Sequence, residues 1–333
     1  MRTFLVALLV SALVNLVLVR VRHVRERAAD HDFSKPQKFH VRAVPRVGGV
    51  GVVAGLAIAA VPLASALGAL EAEFMLLLLA CALPAFMVGL VQDVTDAISP
   101  RGRLAATAVS AALAFFLLDA SISRTDLPGL DWLVAGVAGS LLVTVLSVTG
   151  IANAMNIIDG FNGLSSMCAA IMLGAIAYVA FQVDDQLVAM LAVAGAGAVL
   201  GFFLWNFPAG LIFLGDGGAY FVGFYVAELA ILLLARNQEV SPFFALLICV
   251  YPIFETLFSV YRRWVLRATP ASMPDGIHLH SLIYRRLLRW AAGSRNARAL
   301  TRRNSMTSPY LWVLCMLSVA PAVLFWDSSM VLA

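Results

Sequence analysis

The sequence predicts an all-α membrane protein, a polytopic bundle of about ten transmembrane helices. Composition is the first reason, because 62% of the 333 residues are hydrophobic, 13% are charged, and the mean hydropathy is +0.91. These values lie far outside the range of soluble globular proteins. The other two reasons are a series of apolar runs and the one-sided placement of basic residues.

The apolar runs approach the length of about 20 residues that crosses a hydrocarbon core of roughly 30 Å. They lie near residues 3–19, 48–70, 73–91, 104–118, 131–151, 164–182, 186–205, 217–235, 242–261 and 309–326. The run 104–118 is short and is the weakest of the set. No linker rich in Pro and Ser divides the chain, so we expect a single integral membrane domain over residues 1–333.

The basic residues predict the orientation. Arg2 stands alone before the first run, whereas several arginines follow it; a signal peptide carries its charge in front. We therefore expect both termini outside and the following segments in the cytoplasm: 20–47, 92–103, 152–163, 206–216 and 262–308. Every Lys and Arg except Arg2, Arg124 and Arg236 falls in these segments. This agrees with the positive-inside rule.

The stretch Asn153–Leu164 interrupts sequence that is otherwise apolar enough to span a membrane. It contains the polar residues Asn153, Asn156, Asp159 and Asn162. Polar sequence of this kind at a membrane boundary usually lines a site. A second polar stretch, Phe213-Leu-Gly-Asp216-Gly-Gly, begins a later run. Its glycines would let the backbone approach a phosphate at a helix N-terminus. An N-cap aspartate with turn glycines explains it equally well.

Three further signals are weaker. Asp93 and Asp96 close the third run, where a solvated helix end is the simpler explanation. The pair His278-Leu-His280 suits a metal or a phosphate equally. Lys38 and Arg46 precede a glycine pair, and positive-inside charge alone accounts for Arg46.

All these signals map to the cytoplasmic side. Carboxylates that bind Mg²⁺, together with basic side chains and helix N-termini, are what phosphoryl-group chemistry at a membrane surface requires. Their shared side therefore indicates one site for such chemistry.

The residues resemble those of the polyprenyl-phosphate N-acetylhexosamine-1-phosphate transferases, glycosyltransferase family 4, over nearly the whole chain. Five motifs carry the resemblance, in the order of that family: Lys38 with Pro45-Arg46-x-Gly48-Gly49, Gly89-x-x-x-Asp93, Asn153-x-x-Asn156-x-x-Asp159-Gly160-x-x-Gly163-Leu164, Asn206 with Phe213-x-Gly215-Asp216, and His278-x-His280. The third and fourth together are highly specific.

The resemblance implies transfer of a sugar-1-phosphate from a UDP-sugar to undecaprenyl phosphate, with release of UMP and with Mg²⁺, or Mn²⁺, as cofactor. It implies that Asp216 holds the metal with help from Asp93 or Asp159, and that Asn156, Asp159 and Asn206 shape the nucleotide site. Phe213 would stack on uracil. His278, His280, Lys38 and Arg46 would face phosphates, and the first two, with Lys38, Asp93 and Asp216, form the expected catalytic set.

Two departures from the family pattern remove negative charge. Gln92 stands where most members have the first of two aspartates, which excludes a covalent aspartyl mechanism at position 92. Asn162 replaces a second aspartate, so its expected contact with uracil or ribose becomes neutral. The histidine motif ends at Ser281, which favours initiation of a surface polysaccharide, such as O-antigen in lipopolysaccharide, over peptidoglycan.

Other functions remain open at this point. The loss of a carboxylate at Gln92 is compatible with a catalytically silent homologue that binds lipid phosphate or nucleotide. A bundle of this size also suits a transporter, although Glu228 is the one ionisable residue near a span centre. The sequence does not fix the sugar or decide whether the chain forms a homodimer, and we expect no nucleic-acid partner.

Overall fold

The computed structural model describes residues 1–21, 44–262, 284 and 297–333. These residues fold into helices: α1 (Arg2–Arg20), α2 (Gly48–Ala66), α3 (Ala69–Thr95), α4 (Pro100–Leu117), α5 (Pro128–Val134), α6 (Val137–Ile158), α7 (Leu164–Gln182), α8 (Gln186–Asn206), α9 (Gly215–Arg236), α10 (Pro242–Ile248), α11 (Val250–Tyr261), α12 (Ala297–Leu324) and α13 (Ser329–Leu332).

Within these described ranges, eight helices are long and apolar enough to cross a membrane: α1, α2, α3, α6, α7, α8, α9 and α12. The helices α10 and α11 meet at a bend of 67° and add a ninth span if they are one broken helix. The predicted all-α polytopic bundle is therefore confirmed. The helix α4, on the weakest predicted run, is not among the eight, and its 18 residues include Arg101 and Arg103.

Several helices extend into segments that the sequence analysis assigned to loops. The helix α6 continues to Ile158, so Asn153 and Asn156 lie on its last turns. The side chain of Asn153 donates to the carbonyl of Thr149 at 2.8 Å, which satisfies it inside the helix. In the same way α3 continues to Thr95 and α12 begins at Ala297. The polar segments are thus shorter than predicted, because polar side chains at a helix end need not terminate the helix.

The helix α9 lies at the centre of the bundle, and nearly all of its residues are buried. Glycines near its start let other helices approach its backbone closely. A Cβ atom on Gly89 of α3 would lie 2.5 Å from the Cα of Gly217, and one on Gly223 would lie 2.6 Å from the Cα of Ala152 of α6. Close approach through small residues is typical of packing between membrane helices. It brings the ends of α3 and α6 to the first turn of α9.

Candidate active site at the start of helix α9

Asp216 is the point at which several elements of the bundle converge. It lies in the first turn of α9, and its Oδ1 atom accepts a hydrogen bond from the Asn156 side chain at 3.1 Å. The Arg46 guanidinium lies 3.4 Å from the same oxygen. The Arg103 guanidinium forms an ion pair with Oδ2. The Asp216 side chain remains 13% exposed, so a ligand can reach it.

Asp93, at the end of α3, holds the start of α9 in place. Its two carboxylate oxygens accept the backbone amides of Asp216 and Gly217 at 2.8 and 3.0 Å. Arg46 lies 3.3 Å from the same carboxylate, whose side chain is only 1% exposed. Gly215 has a φ of 79°, and a Cβ atom there would lie 2.5 Å from the Asp93 side chain. Glycine is therefore required at this turn.

Arg46 is positioned by backbone pairing between its own segment and the one that precedes α9. The amide of Phe213 donates to the carbonyl of Pro45 at 2.9 Å, and the amide of Gly48 donates to the carbonyl of Phe213 at 2.9 Å. Phe213 is half-buried beside this pairing. The predicted stacking of Phe213 on uracil stays a prediction.

Asp159 follows the last residue of α6 and is half-buried. It accepts a hydrogen bond from the Ser165 hydroxyl. The pKa of Asp159 is raised to about 7, mainly by burial; the charges of Asp216 and Asp93 add to the rise, while the hydrogen bond from Ser165 and the charge of Arg46 oppose it. Because its charge is partly lost at neutral pH, Asp159 is a weaker anionic ligand than an ordinary aspartate.

Asn162 and Asn206, both predicted to contact nucleotide, are buried and bonded within the protein. The side-chain N–H₂ of Asn162 donates to the carbonyl of Pro208 at 3.1 Å and to the Ser305 hydroxyl at 3.2 Å. Its backbone N–H donates to the side-chain oxygen of Asn304 at 2.8 Å. Asn206 accepts from the Gly163 amide and donates to the Ile212 carbonyl at 2.8 Å. These bonds join the loop after α6 to the loop after α8. The arrangement favours a structural role, and direct contact with nucleotide stays a prediction.

Gln92 stabilises the turn between α3 and α4. Its side chain donates to Asp96 at 3.1 Å and accepts the amide of Ile98 at 2.8 Å. This explains how a glutamine serves at a position where an aspartate was expected. Lys38, His278 and His280 lie outside the described residues, so their predicted places in the site stay predictions.

Arg103 is the site residue that sequence analysis missed, since it was assigned only to the positive-inside charge. It lies in the first turn of α4, ten residues after Asp93. The short connection between α3 and α4 folds it back toward Asp216. A basic residue that soon follows a carboxylate across a tight helix–helix turn was the available signal.

The predicted Mg²⁺ ligands fit only in part. Among the described residues, no three side chains of His, Cys, Asp or Glu are grouped so as to hold a metal ion. Asp93 is almost fully buried and uses both oxygens to bind amides of α9. Asp216 fits, because it is partly exposed and because Mg²⁺ in proteins is commonly held by one or two carboxylates together with substrate phosphates.

Fold and site together define a polytopic membrane protein in which carboxylates and guanidiniums pair with one another at the ends of apolar helices. Residues 75–234 match the model of a family described as glycosyl transferase family 4. This match agrees with the resemblance drawn from the motifs. The matched range contains Asp93, Asn156 and Asp216, whereas Arg46 precedes it.

Individual relatives support a membrane transferase. The chain is 29% identical over 288 residues to the probable undecaprenyl-phosphate N-acetylglucosaminyl 1-phosphate transferase of Bacillus subtilis (strain 168), covering 83% of this chain and 75% of that protein. It is 29% identical to the decaprenyl-phosphate N-acetylglucosaminephosphotransferase of Mycolicibacterium smegmatis, over 93% and 78% of the two chains. It is 27% identical to the phospho-N-acetylmuramoyl-pentapeptide-transferase of Bacillus velezensis, over 69% and 74%.

Proposed function

We propose that this protein transfers an N-acetylhexosamine-1-phosphate from a UDP-sugar to undecaprenyl phosphate and releases UMP. The reaction takes place at the cytoplasmic face of a bacterial inner membrane and initiates a cell-surface polysaccharide. One observation carries the proposal: Asp216, at the start of the central helix, is contacted by Arg46, Arg103 and Asn156 from three other segments.

The two guanidiniums suit phosphate substrates. Arginine binds phosphate oxygens through several N–H donors in a fixed plane, and such charge-assisted bonds are stronger than neutral ones. A UDP-sugar and a lipid phosphate are both anionic and repel each other. Arg46 and Arg103 supply the positive charge that lets the two phosphates approach.

A cavity between α6, α9, α10 and α11 suits the lipid part of the acceptor. It has a volume of about 380 Å³ and is lined mainly by apolar residues of α6, α9, α10 and α11. Ala154, in its wall, lies two residues before Asn156 and so about 3 Å away along the axis of α6. An isoprenoid chain that leaves the cavity at this end would bring its phosphate toward Asn156, which contacts Asp216.

The chemistry is a direct displacement at phosphorus. A phosphate monoester with a second pKa near 6 is largely dianionic at neutral pH, so it needs little deprotonation. An oxygen of the lipid phosphate forms a bond to the sugar-bearing phosphorus. The bond from that phosphorus to the oxygen bridging to UMP breaks, and UMP leaves with the electron pair. Asp93 is a positioning residue in this scheme, since its carboxylate is committed to α9.

Mg²⁺ or Mn²⁺ is proposed as the cofactor, with Asp216 as its protein ligand. When bound, such an ion offsets charge on the diphosphate oxygens. Lys38, His278 and His280 are proposed to contact phosphate groups. The family motif is the support for these three assignments.

The test is an assay of the full-length protein with labelled UDP-sugars, undecaprenyl phosphate and Mg²⁺. We expect labelled lipid and an equal amount of UMP with at least one N-acetylated sugar, and neither with Asp216→Asn. A panel containing UDP-N-acetylglucosamine and UDP-N-acetylgalactosamine identifies the donor. Binding of nucleotide without turnover of any donor would instead indicate a silent homologue.

A further inference from the structure

Four ionisable side chains contact one another at the start of α9. Asp93 and Asp216 contribute two negative charges, and Arg46 and Arg103 contribute two positive ones. Among the described ion pairs, the two guanidiniums thus offset the two carboxylates. A divalent cation at Asp216 would add two positive charges beside two guanidiniums, and like charges at such short range repel strongly where water is limited.

The two arginines are held unequally. Arg46 contacts both carboxylates, at 3.3 Å from Asp93 and 3.4 Å from Asp216, and the backbone pairing of Pro45 and Gly48 with Phe213 fixes its position. Arg103 pairs with Asp216 through one terminal nitrogen. Its Nε atom is buried and has no hydrogen-bond partner among the described residues. Among the described contacts, Arg103 is thus the guanidinium that can turn away from Asp216 without disturbing a second ion pair.

We propose that Arg103 is an exchangeable counter-ion of Asp216. Without nucleotide, Arg103 neutralises the carboxylate. When nucleotide binds, Arg103 moves to its diphosphate, which frees Asp216 for a divalent cation. The site therefore takes up cation and diphosphate together and binds the free cation poorly. This inference rests on the proposed function for the identity of the diphosphate.

The geometry of the diphosphate makes the exchange favourable. Its oxygens offer more acceptor positions to a guanidinium than one carboxylate does, so the unpartnered Nε of Arg103 can also be satisfied. The negative charge of the diphosphate offsets the cation that replaces Arg103. The charge of the group stays near balance throughout.

The test measures Mn²⁺ binding by electron paramagnetic resonance on purified full-length protein, with and without UDP. The wild-type protein is expected to bind Mn²⁺ weakly alone and at least about tenfold more tightly with UDP, because UDP draws Arg103 away. Arg103→Met is expected to bind Mn²⁺ alone at least about tenfold more tightly than the wild type, and UDP should add less. Arg103→Gln provides a second variant if the first does not fold.

Arg101→Met is the matched control. Arg101 is exposed and lies in the same turn of α4, and its substitution removes the same charge. It should bind Mn²⁺ as the wild type does. Asp216→Asn in the Arg103→Met background should abolish the gain. Equal or weaker Mn²⁺ binding by the Arg103 variants, or an equal gain in Arg101→Met, would overturn the inference. Because no transfer is measured, failure of the proposed reaction is detected separately by the lipid-labelling assay.

Discussion

The carboxylate of Asp93 accepts the backbone amide of Asp216, a residue on a different helix, at 2.8 Å. A second amide, from Gly217, reaches the same carboxylate at 3.0 Å. The free N–H groups at the start of α9 are thus satisfied by the end of α3 rather than by a neighbour in sequence. The orientation of Asp216 therefore depends on how α3 and α9 pack together.

Asp93→Asn should disrupt the site while changing few atoms. The amide group of asparagine keeps one acceptor and turns an N–H₂ toward a backbone amide, and an unsatisfied buried donor costs about 1–3 kcal/mol. It also leaves Arg46 with one carboxylate fewer. We expect transferase activity to fall by at least about 100-fold, since a small displacement at a reacting centre has effects of that size.

The control for this variant is Asp96→Asn, on the exposed turn that follows α3. It should retain activity close to that of the wild type in the same lipid-labelling assay. Similar losses in both variants would contradict the special role of Asp93.

Gln92→Ala should have a small effect. Gln92 bonds to Asp96 and to the amide of Ile98, so its loss loosens a turn without removing a group from Asp216. We expect a reduction of only a few fold, because net hydrogen-bond contributions are about 1 kcal/mol. Turnover and thermal unfolding measured together check this. A loss as complete as that of Asp216→Ala, in a folded protein, would show that the account of Gln92 is wrong.

The sequence predicted the membrane bundle and one site containing Arg46, Asp93, Asn156 and Asp216. Hydropathy, the placement of basic residues and the order of the motifs can all be read directly along the chain. It did not predict that Arg103 contacts Asp216, since this depends on the rotation of α4 against α3. It also gave no sign that Asn162 would be bonded to Asn304 and Ser305, more than a hundred residues further along the chain. The sequence pattern of an asparagine beside a glycine is the same whether the side chain faces a ligand or a buried partner.

Gly89→Ala should destabilise the protein. A Cβ atom at this position would lie 2.5 Å from the Gly217 Cα, and neither backbone can move without separating α3 from α9. Overpacking of this kind typically costs about 1–3 kcal/mol. Thermal unfolding in detergent should show a lower midpoint than in Gly174→Ala, a glycine of α7 with no atom within 4 Å of its Cβ position. Equal midpoints would contradict the close helix contact.

Gly150→Leu tests the cavity as the place of the lipid tail. Gly150 lines the cavity, and a Cβ atom there meets no atom within 4 Å, so leucine can project into the space without a clash. We expect KM for undecaprenyl phosphate to rise by about tenfold, the order of a lost apolar contact, with KM for the UDP-sugar unchanged. Gly174→Leu, which does not line the cavity, is the control. A change in KM for the UDP-sugar alone would assign the cavity to the donor instead.

Asn162→Asp introduces the aspartate that the resembling family motif has at this position and yet should destabilise this protein. Asn162 is 1% exposed, and its side-chain N–H₂ donates to the Pro208 carbonyl and to Ser305. An aspartate would place a negative oxygen against that carbonyl, and breaking a buried polar network in this way costs about 2–4 kcal/mol.

The pH dependence identifies the cause of this destabilisation. Burial without a positive partner raises the pKa of the new carboxyl in the folded state above its unfolded value. The protonated form is therefore favoured by folding, and the stability that it contributes is lost as the pH rises through the folded pKa. The deficit of Asn162→Asp relative to the wild type should be smaller at pH 5 than at pH 8, measured by thermal unfolding. Asn153→Asp, half-buried on the last turns of α6, should show a smaller deficit and less pH dependence. A variant as stable as the wild type at pH 8 would mean that Asn162 faces an open site and not a buried partner.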